Sequence, residues 1–384
     1  MASSLRSVVI LGATGSIGVQ ALELLAGARD KFTVTALAAG GGNIPLLIEQ
    51  AKKFNVAVVG CAKGDRALIH DALPGVEVIV SERAAEEIAA IPADVTLNAI
   101  TGSIGLRPSL AALNVGNTLA LANKESLVAG GPLVVAAAKS GQLIPVDSEH
   151  SALAQAMRSG ATNEISRFIL TASGGPFRDR EDLSGVSVDE ALNHPTWNMG
   201  QVVTINSATL VNKGLEIIEA HYLFDLPYKK IEAVIHPQSI VHSMVEFCDG
   251  SVIAQASPPN MVLPISLALN WPHRIPGAIK PLDWRASHQW EFQPIDNARF
   301  PAIDLARRCG EVGGGAPAAF NAANEEAVAA FVAGKISFTD IVEIIDEVLA
   351  EIGGEVSAPL RDVSDVSAVE ENARAVAREK IAER

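Results

Sequence analysis

The sequence predicts an α/β protein in three parts: a doubly wound parallel sheet, then a central α+β domain, then a C-terminal helical bundle. Three observations predict it. Over residues 7–147 short apolar runs alternate with helical stretches, as in βαβ units whose strands are buried on both faces. Beyond 147 that alternation gives way to helices, then strands, in a turn-rich texture. From about 302 the chain is alanine-rich and helical to its end.

Taken in order, Val8–Leu11, Val34–Leu37, Val56–Val59, Val76–Val80, Val95–Ile100, Thr118–Ala122 and Leu143–Val146 read as buried strands, with helices such as 17–26 and 44–54 between them. The second part is expected to hold a strand at Phe168–Thr171, a helix from about Ser207 to Phe224, and strands at 231–235, 240–247 and 251–256. Prolines at 272, 276, 281, 294 and 301 mark an extended linker, and Gly313-Gly314-Gly315 marks a turn between helices of the bundle. The expected division is 1–146, 147–271, a linker over 272–301, and 302–384.

The totals narrow the class of function. With 384 residues, 48% hydrophobic and 19% charged, the chain has the balance of a globular enzyme. No run reaches the roughly 18 unbroken apolar residues of a membrane span, and residues 1–7 lack the apolar core of a secretory signal, so a cytoplasmic protein with no membrane partner is expected. A net charge of −14 argues against nucleic acid. Three scattered cysteines signal neither a disulfide framework nor a thiolate metal site.

Chemistry is concentrated in a few words. Gly12-Ala13-Thr14-Gly15-Ser16-Ile17-Gly18 follows a strand and opens a helix, where glycines let the backbone approach a pyrophosphate resting on free N–H groups; this makes the first part a Rossmann-type sheet, unless the glycines merely close a tight turn. The second strand ends in Gly40-Gly41-Gly42-Asn43, with no acid for a ribose hydroxyl and no base for a 2′-phosphate, so NADP is favoured by elimination. Asp147-Ser148-Glu149-His150 offers two carboxylates that, in extended backbone, would project to one side toward a hard cation; a helix cap is the competing reading. In the helix after Ser207, a stripe of Ala208, Val211, Leu215 and Ile218 leaves Asn212, Lys213 and Glu216 together opposite, and Gly214 suggests that something approaches the backbone, a phosphate or a metal being a plausible visitor. Leu170–Phe177, with Ser173-Gly174-Gly175, reads as an anion nest, and His194-Pro195-Thr196-Trp197-Asn198-Met199-Gly200 as a lid or a packed turn.

These words, with Leu121–Ser126, Ile235-His236-Pro237-Gln238-Ser239 and Phe320–Glu325, resemble the 1-deoxy-D-xylulose 5-phosphate reductoisomerases along nearly the whole chain. The resemblance implies a V-shaped homodimer with an NADPH domain, a catalytic and dimer-forming domain, and a helical bundle. It implies that Asp147, Glu149 and Glu216 hold Mg²⁺ or Mn²⁺, and that Ser173, Ser207, Asn212 and Lys213 bind the substrate phosphate. Lys124, Ser148 and His194 would contact the carbon skeleton, with Lys124, Glu149 and His194 as catalytic residues and Trp197 and Met199 in the lid. Gly12, Thr14, Gly15, Ser16, Ile17, Gly40, Asn43, Asn123, Glu125 and Gly200 would line the cofactor. The reaction implied is NADPH- and metal-dependent conversion of 1-deoxy-D-xylulose 5-phosphate to 2-C-methyl-D-erythritol 4-phosphate, in isoprenoid biosynthesis.

The chain departs from the family pattern at Gly41 and Gly42, where a basic residue is common, and at Gln201-Val202-Val203, where a lysine is. A semialdehyde-type NADP dehydrogenase would need a nucleophilic cysteine, and none of Cys61, Cys248 and Cys309 has such a setting. In a non-enzymatic dinucleotide sensor the three carboxylates would be surplus.

Overall fold

The computed structural model describes residues 5–197 and 199–384; residues 1–4 and Asn198 of the lid motif lie outside the described residues. The chain divides into two compact units.

The first unit comprises residues 5–126, 134–151 and 260–280. Its elements run β1 (Arg6–Leu11), α1 (Ser16–Ala26), β2 (Phe32–Ala39), α2 (Ile44–Phe54), β3 (Val58–Cys61), α3 (Arg66–Ala72) and β4 (Glu77–Val80). There follow α4 (Ala84–Ala89), β5 (Val95–Asn98), α5 (Leu106–Val115), β6 (Thr118–Leu121), the start of α6 (Glu125–Ala137), β7 (Leu143–Pro145) and the start of α7 (Ser148–Ala156). All seven strands are parallel, in the order β4-β3-β2-β1-β5-β6-β7. The order reverses at β1, which opens the crevice for a ligand at the carboxyl ends of the strands. Val8, Ile10, Leu37, Val59 and Leu97 fill the core beside helix residues Leu22, Leu25 and Leu47. The seven expected strands are all present. The fifth stops at Asn98, because its side chain accepts from the Ile100 N–H at 3.1 Å and turns the chain out of the ladder.

The second unit holds residues 127–133, 152–259 and 281–384. It contains β8 (Ile165–Ala172), α8 (Val188–Leu192), α9 (Gln201–Ala208), α10 (Val211–Phe224), β9 (Ile231–Ile235), β10 (Val241–Phe247) and β11 (Val252–Ala256). Helix α11 (Val262–Asn270) belongs to the first unit and packs on α1, although it follows β11 in sequence. After it come β12 (Gln293–Pro294), α12 (Ala302–Val312), α13 (Ala316–Val332), α14 (Asp340–Val356) and α15 (Val363–Ala382). The sheet order is β11-β10-β8-β9-β12, with β8 parallel to β9 and antiparallel to β10. Phe168 and Leu170 of β8, Ile217 and Ile218 of α10, and Phe320 of α13 belong to one continuous core. Cys61 and Cys309 are buried, whereas Cys248 is exposed in the turn between β10 and β11. No helix among the described residues is long and apolar enough to cross a membrane.

Two expectations need correction. The helix expected from Ser207 to Phe224 is two helices, because Leu210 adopts the left-handed conformation, φ 60°, and Thr209 Oγ1 accepts from Val211 N–H at the new start. The charged side chains opposite the apolar stripe are themselves enclosed, Lys213 and Glu216 being 4% and 2% exposed. The visitor at Gly214 is a helix rather than a ligand, since a Cβ there would stand 2.7 Å from the Ala306 Cβ and 3.2 Å from the Ala302 carbonyl of α12.

Candidate active site

In the first unit the turn after β1 is built for close approach. Gly12 has φ +80°, and a Cβ on it would stand 2.5 Å from the Ala99 carbonyl, so glycine is required there. Gly18 lets α1 settle on the turn, as its Cβ would meet the Gly12 carbonyl at 2.3 Å. Gly15 caps α1 with no side-chain hydrogen bond, and Gly15 and Ser16 are exposed, so the first N–H groups of the helix face outward beside Thr14 and Ile17. Buried Gln50 donates to the Ala13 carbonyl at 2.9 Å and steadies the turn.

Beyond β2, Gly40 and Gly42 face open space, while Gly41, φ +99°, has its Cα face against the Lys63 carbonyl. Asn43 caps α2 by accepting from Leu46 N–H at 3.1 Å. The Asn123 side chain is spent inside the protein. Its amide nitrogen lies 2.8 Å from the Ile100 carbonyl, 2.9 Å from that of Gly102 and 2.7 Å from Glu125 Oε2, so it shapes the loop after β5.

Asp147 directly precedes α7, and its Oδ1 accepts from Glu149 N–H at 3.1 Å, a capping contact. The extended-backbone argument for pairing the two carboxylates is therefore overturned, since Glu149 already lies in the helix. They are nonetheless close, each offering an oxygen within 4.8 Å of the other's. His150, fully buried one turn on, places Nδ1 3.1 Å from Asp147 Oδ1; Lys124 Nζ lies 3.4 Å from Asp147 Oδ2, and Ser148 Oγ donates to Glu149 at 2.6 Å. Oxygen donors beside a single ammonium suit a hard dication.

In the second unit the chain just beyond β8 meets both His194 and the end of α9. His194 Nδ1 accepts from the N–H groups of Thr196 and Trp197, at 3.1 and 2.9 Å. The ring proton must then sit on Nε2, which donates to Ser173 Oγ at 2.9 Å. Gly175 N–H also donates to that oxygen, at 3.3 Å. With both lone pairs engaged, the Ser173 hydroxyl has its own proton left to give to a visitor. Burial, helped by the charge of Arg178, pushes the His194 pKa down and keeps the ring neutral. A Cβ on Gly175 would press on the Ser207 carbonyl at 2.9 Å, so the turn lies against the end of α9 that carries Ser207. Just beyond, Asn212 and Lys213 both donate to Glu216 within α10. Trp197 is half-buried and meets the His242 ring edge-on at 6.2 Å; Met199 is half-buried, and exposed Gly200 caps α9.

Sequence reasoning missed Gln50 and Arg178, neither of which stands in a recognisable pattern. His150 could have been found, since it stands three residues after Asp147 at the start of a helix.

Known proteins resemble the chain throughout. Family models of 1-deoxy-D-xylulose 5-phosphate reductoisomerase match residues 8–131, and models of its C-terminal domain match 143–224 and 256–376. A reductoisomerase of this name from Pseudarthrobacter chlorophenolicus is 55% identical over 98% of both chains, and one from Leifsonia xyli is 59% identical over 90% of this chain and 91% of its own. The solved Zymomonas mobilis reductoisomerase with NADPH superposes with a TM-score of 0.92 at 40% identity, covering 98% of this chain and 99% of that one. A second solved reductoisomerase, with NADPH, fosmidomycin and magnesium, gives 0.92 at 38%, covering 98% of each. The chain belongs to the 1-deoxy-D-xylulose 5-phosphate reductoisomerase family.

Proposed function

We infer that this protein isomerises and reduces 1-deoxy-D-xylulose 5-phosphate to 2-C-methyl-D-erythritol 4-phosphate with NADPH and a divalent ion. The observation that carries this reading is the polarity at Ser173: with two donors on its oxygen, the hydroxyl can only donate, which suits a phosphate. When bound, NADPH supplies hydride and Mg²⁺ or Mn²⁺ polarises two neighbouring substrate oxygens.

The chain's own residues do the rest. Asp147, Glu149 and Glu216 hold the ion, and Ser173, Ser207, Asn212 and Lys213 hold the phosphate, Lys213 exchanging part of its contact with Glu216 for the new anion. Lys124, Ser148 and His194 orient the carbon skeleton, while Trp197 and Met199 cover it and exclude water. The open helix start at Gly15–Ile17 receives the pyrophosphate. Gly12, Thr14, Glu125, Gly200 and the main chain of Asn123 line the rest of the cofactor, and Gly40 with Asn43 meets the 2′-phosphate through main chain and amide. A homodimer in the cytoplasm, and the three-part division at 146, 271 and 301, complete the proposal.

The test follows NADPH absorbance with substrate, after chelation and after adding back Mg²⁺ or Mn²⁺. Oxidation restored by the ion supports the reading; none under any metal condition overturns it. A cysteine dehydrogenase is disfavoured because burial raises the Cys61 thiol pKa and lifts that of Cys309 to about 12, away from thiolate chemistry.

A further inference from the structure

The geometry points to His236 as a positioning residue for the turn Ser173–Gly175, a role that rests on reading that turn as the phosphate site. His236 is fully buried at the corner between β9 and β10. Its main-chain N–H donates to the Ala172 carbonyl at 2.7 Å, one residue ahead of Ser173. The ring reaches two other segments. Nε2 accepts from the N–H groups of Ile240 and Val241, both at 3.1 Å, and Nδ1 lies 2.8 Å from the Glu291 carbonyl. Because an N–H only donates and a carbonyl only accepts, Nδ1 donates to Glu291 and Nε2 is the acceptor.

Two contacts carry this corner into the turn. Thr171 Oγ1 lies 2.7 Å from the Val241 carbonyl and 2.8 Å from that of His242, so Val241 is gripped at its N–H by His236 and at its C=O by a residue two places before Ser173. Ile235, next to His236, fills the space at Gly174, where a Cβ would stand 2.9 Å from its Cγ2. The Ser173 hydroxyl can aim at a phosphate only while this frame keeps the turn in place. Glu291 is tied to the corner a second time, its N–H donating to Gln238 at 3.2 Å.

Two near-isosteric replacements separate the ends of the ring. His236→Gln keeps an oxygen near Nε2 to accept from Ile240 and Val241. His236→Asn keeps a donor near Nδ1 and leaves those two N–H groups without their acceptor. The expected result is that His236→Asn raises KM for 1-deoxy-D-xylulose 5-phosphate about 10- to 100-fold, with KM for NADPH changed by less than about twofold, and that His236→Gln recovers most of the loss. A merely structural role would lower the folded fraction, and with it Vmax, without moving KM.

Ser173→Ala is the reference: if it leaves KM unchanged, the phosphate assignment fails, whatever His236 does. If Ser173→Ala raises KM but His236→Asn does not, or the Gln and Asn variants behave alike, the positioning role is overturned. Should His236→Asn not fold, Thr171→Val decides, since it removes only the hydroxyl tie; an unchanged substrate KM there overturns the proposal as well.

Discussion

Gly214→Ala sets two opposed effects against each other inside α10. In an exposed helix alanine would be worth about 1 kcal/mol over glycine. Here the new Cβ would stand 2.7 Å from the Ala306 Cβ, where ordinary contact is 3.4–4 Å, and 3.2 Å from the main-chain carbonyl of Ala302. A methyl group and a helix backbone cannot rotate aside, so α10 and α12 must part by roughly 1 Å, and overpacking of this kind costs about 1–3 kcal/mol. The net expectation is a loss of about 1 kcal/mol, read as a fall of about 2–4 °C in the thermal midpoint. Because Asn212, Lys213 and Glu216 ride on the same helix, kcat/KM with 1-deoxy-D-xylulose 5-phosphate should fall while NADPH binding holds. A variant that melts at or above the wild-type temperature with normal kinetics would show that the helices have slack, and would refute the packing argument.

Glu216→Gln keeps the side-chain shape but removes the charge a dication requires, so turnover should vanish while NADPH affinity, measured by fluorescence, stays near normal; substantial residual activity would place the ion elsewhere. Trp197→Ala should impair kcat/KM strongly yet leave the thermal midpoint almost unchanged, because the half-buried indole lies outside the regular elements, whereas truncating a core tryptophan costs about 3–5 kcal/mol. The folded-state pKa of His194 is depressed below its ordinary 6.5, so its contribution to stability is present above that value and lost as pH falls toward and through the folded pKa. Thermal midpoints followed from about pH 8 down to about pH 5 should therefore converge between wild type and His194→Gln on the acid side; identical pH profiles would remove His194 from this role.

The parallel sheet was legible because its strands are buried on both faces and so read as unbroken runs such as Val8-Val9-Ile10-Leu11. The tight turn after β1 was legible for a related reason: the steric demand at Gly12 and Gly18 leaves only glycine. The break at Leu210 was not, since leucine is among the residues least expected at positive φ and only the surrounding packing holds it there. Gly214 carried a true signal of close approach, but its meaning depends on α12, about ninety residues away, which no local pattern can supply. Asp147 and Glu149 do come together, but not through extended backbone: Asp147 is an ordinary capping type, and that cue should have placed Glu149 on a helix. The tautomer of His194 follows from main-chain donors alone, and no sequence records where those point.

The contrast among the three thiols has a practical side. Cys61 and Cys309 are enclosed and held in the unreactive protonated form, while Cys248 stands in the open hairpin turn between β10 and β11. A maleimide dye or nitroxide added to the native chain should therefore enter at residue 248 alone, with no engineering of the sequence. That gives spectroscopists a single fixed reporter on the second unit, from which distances to a bound paramagnetic Mn²⁺ can be read as substrate is added.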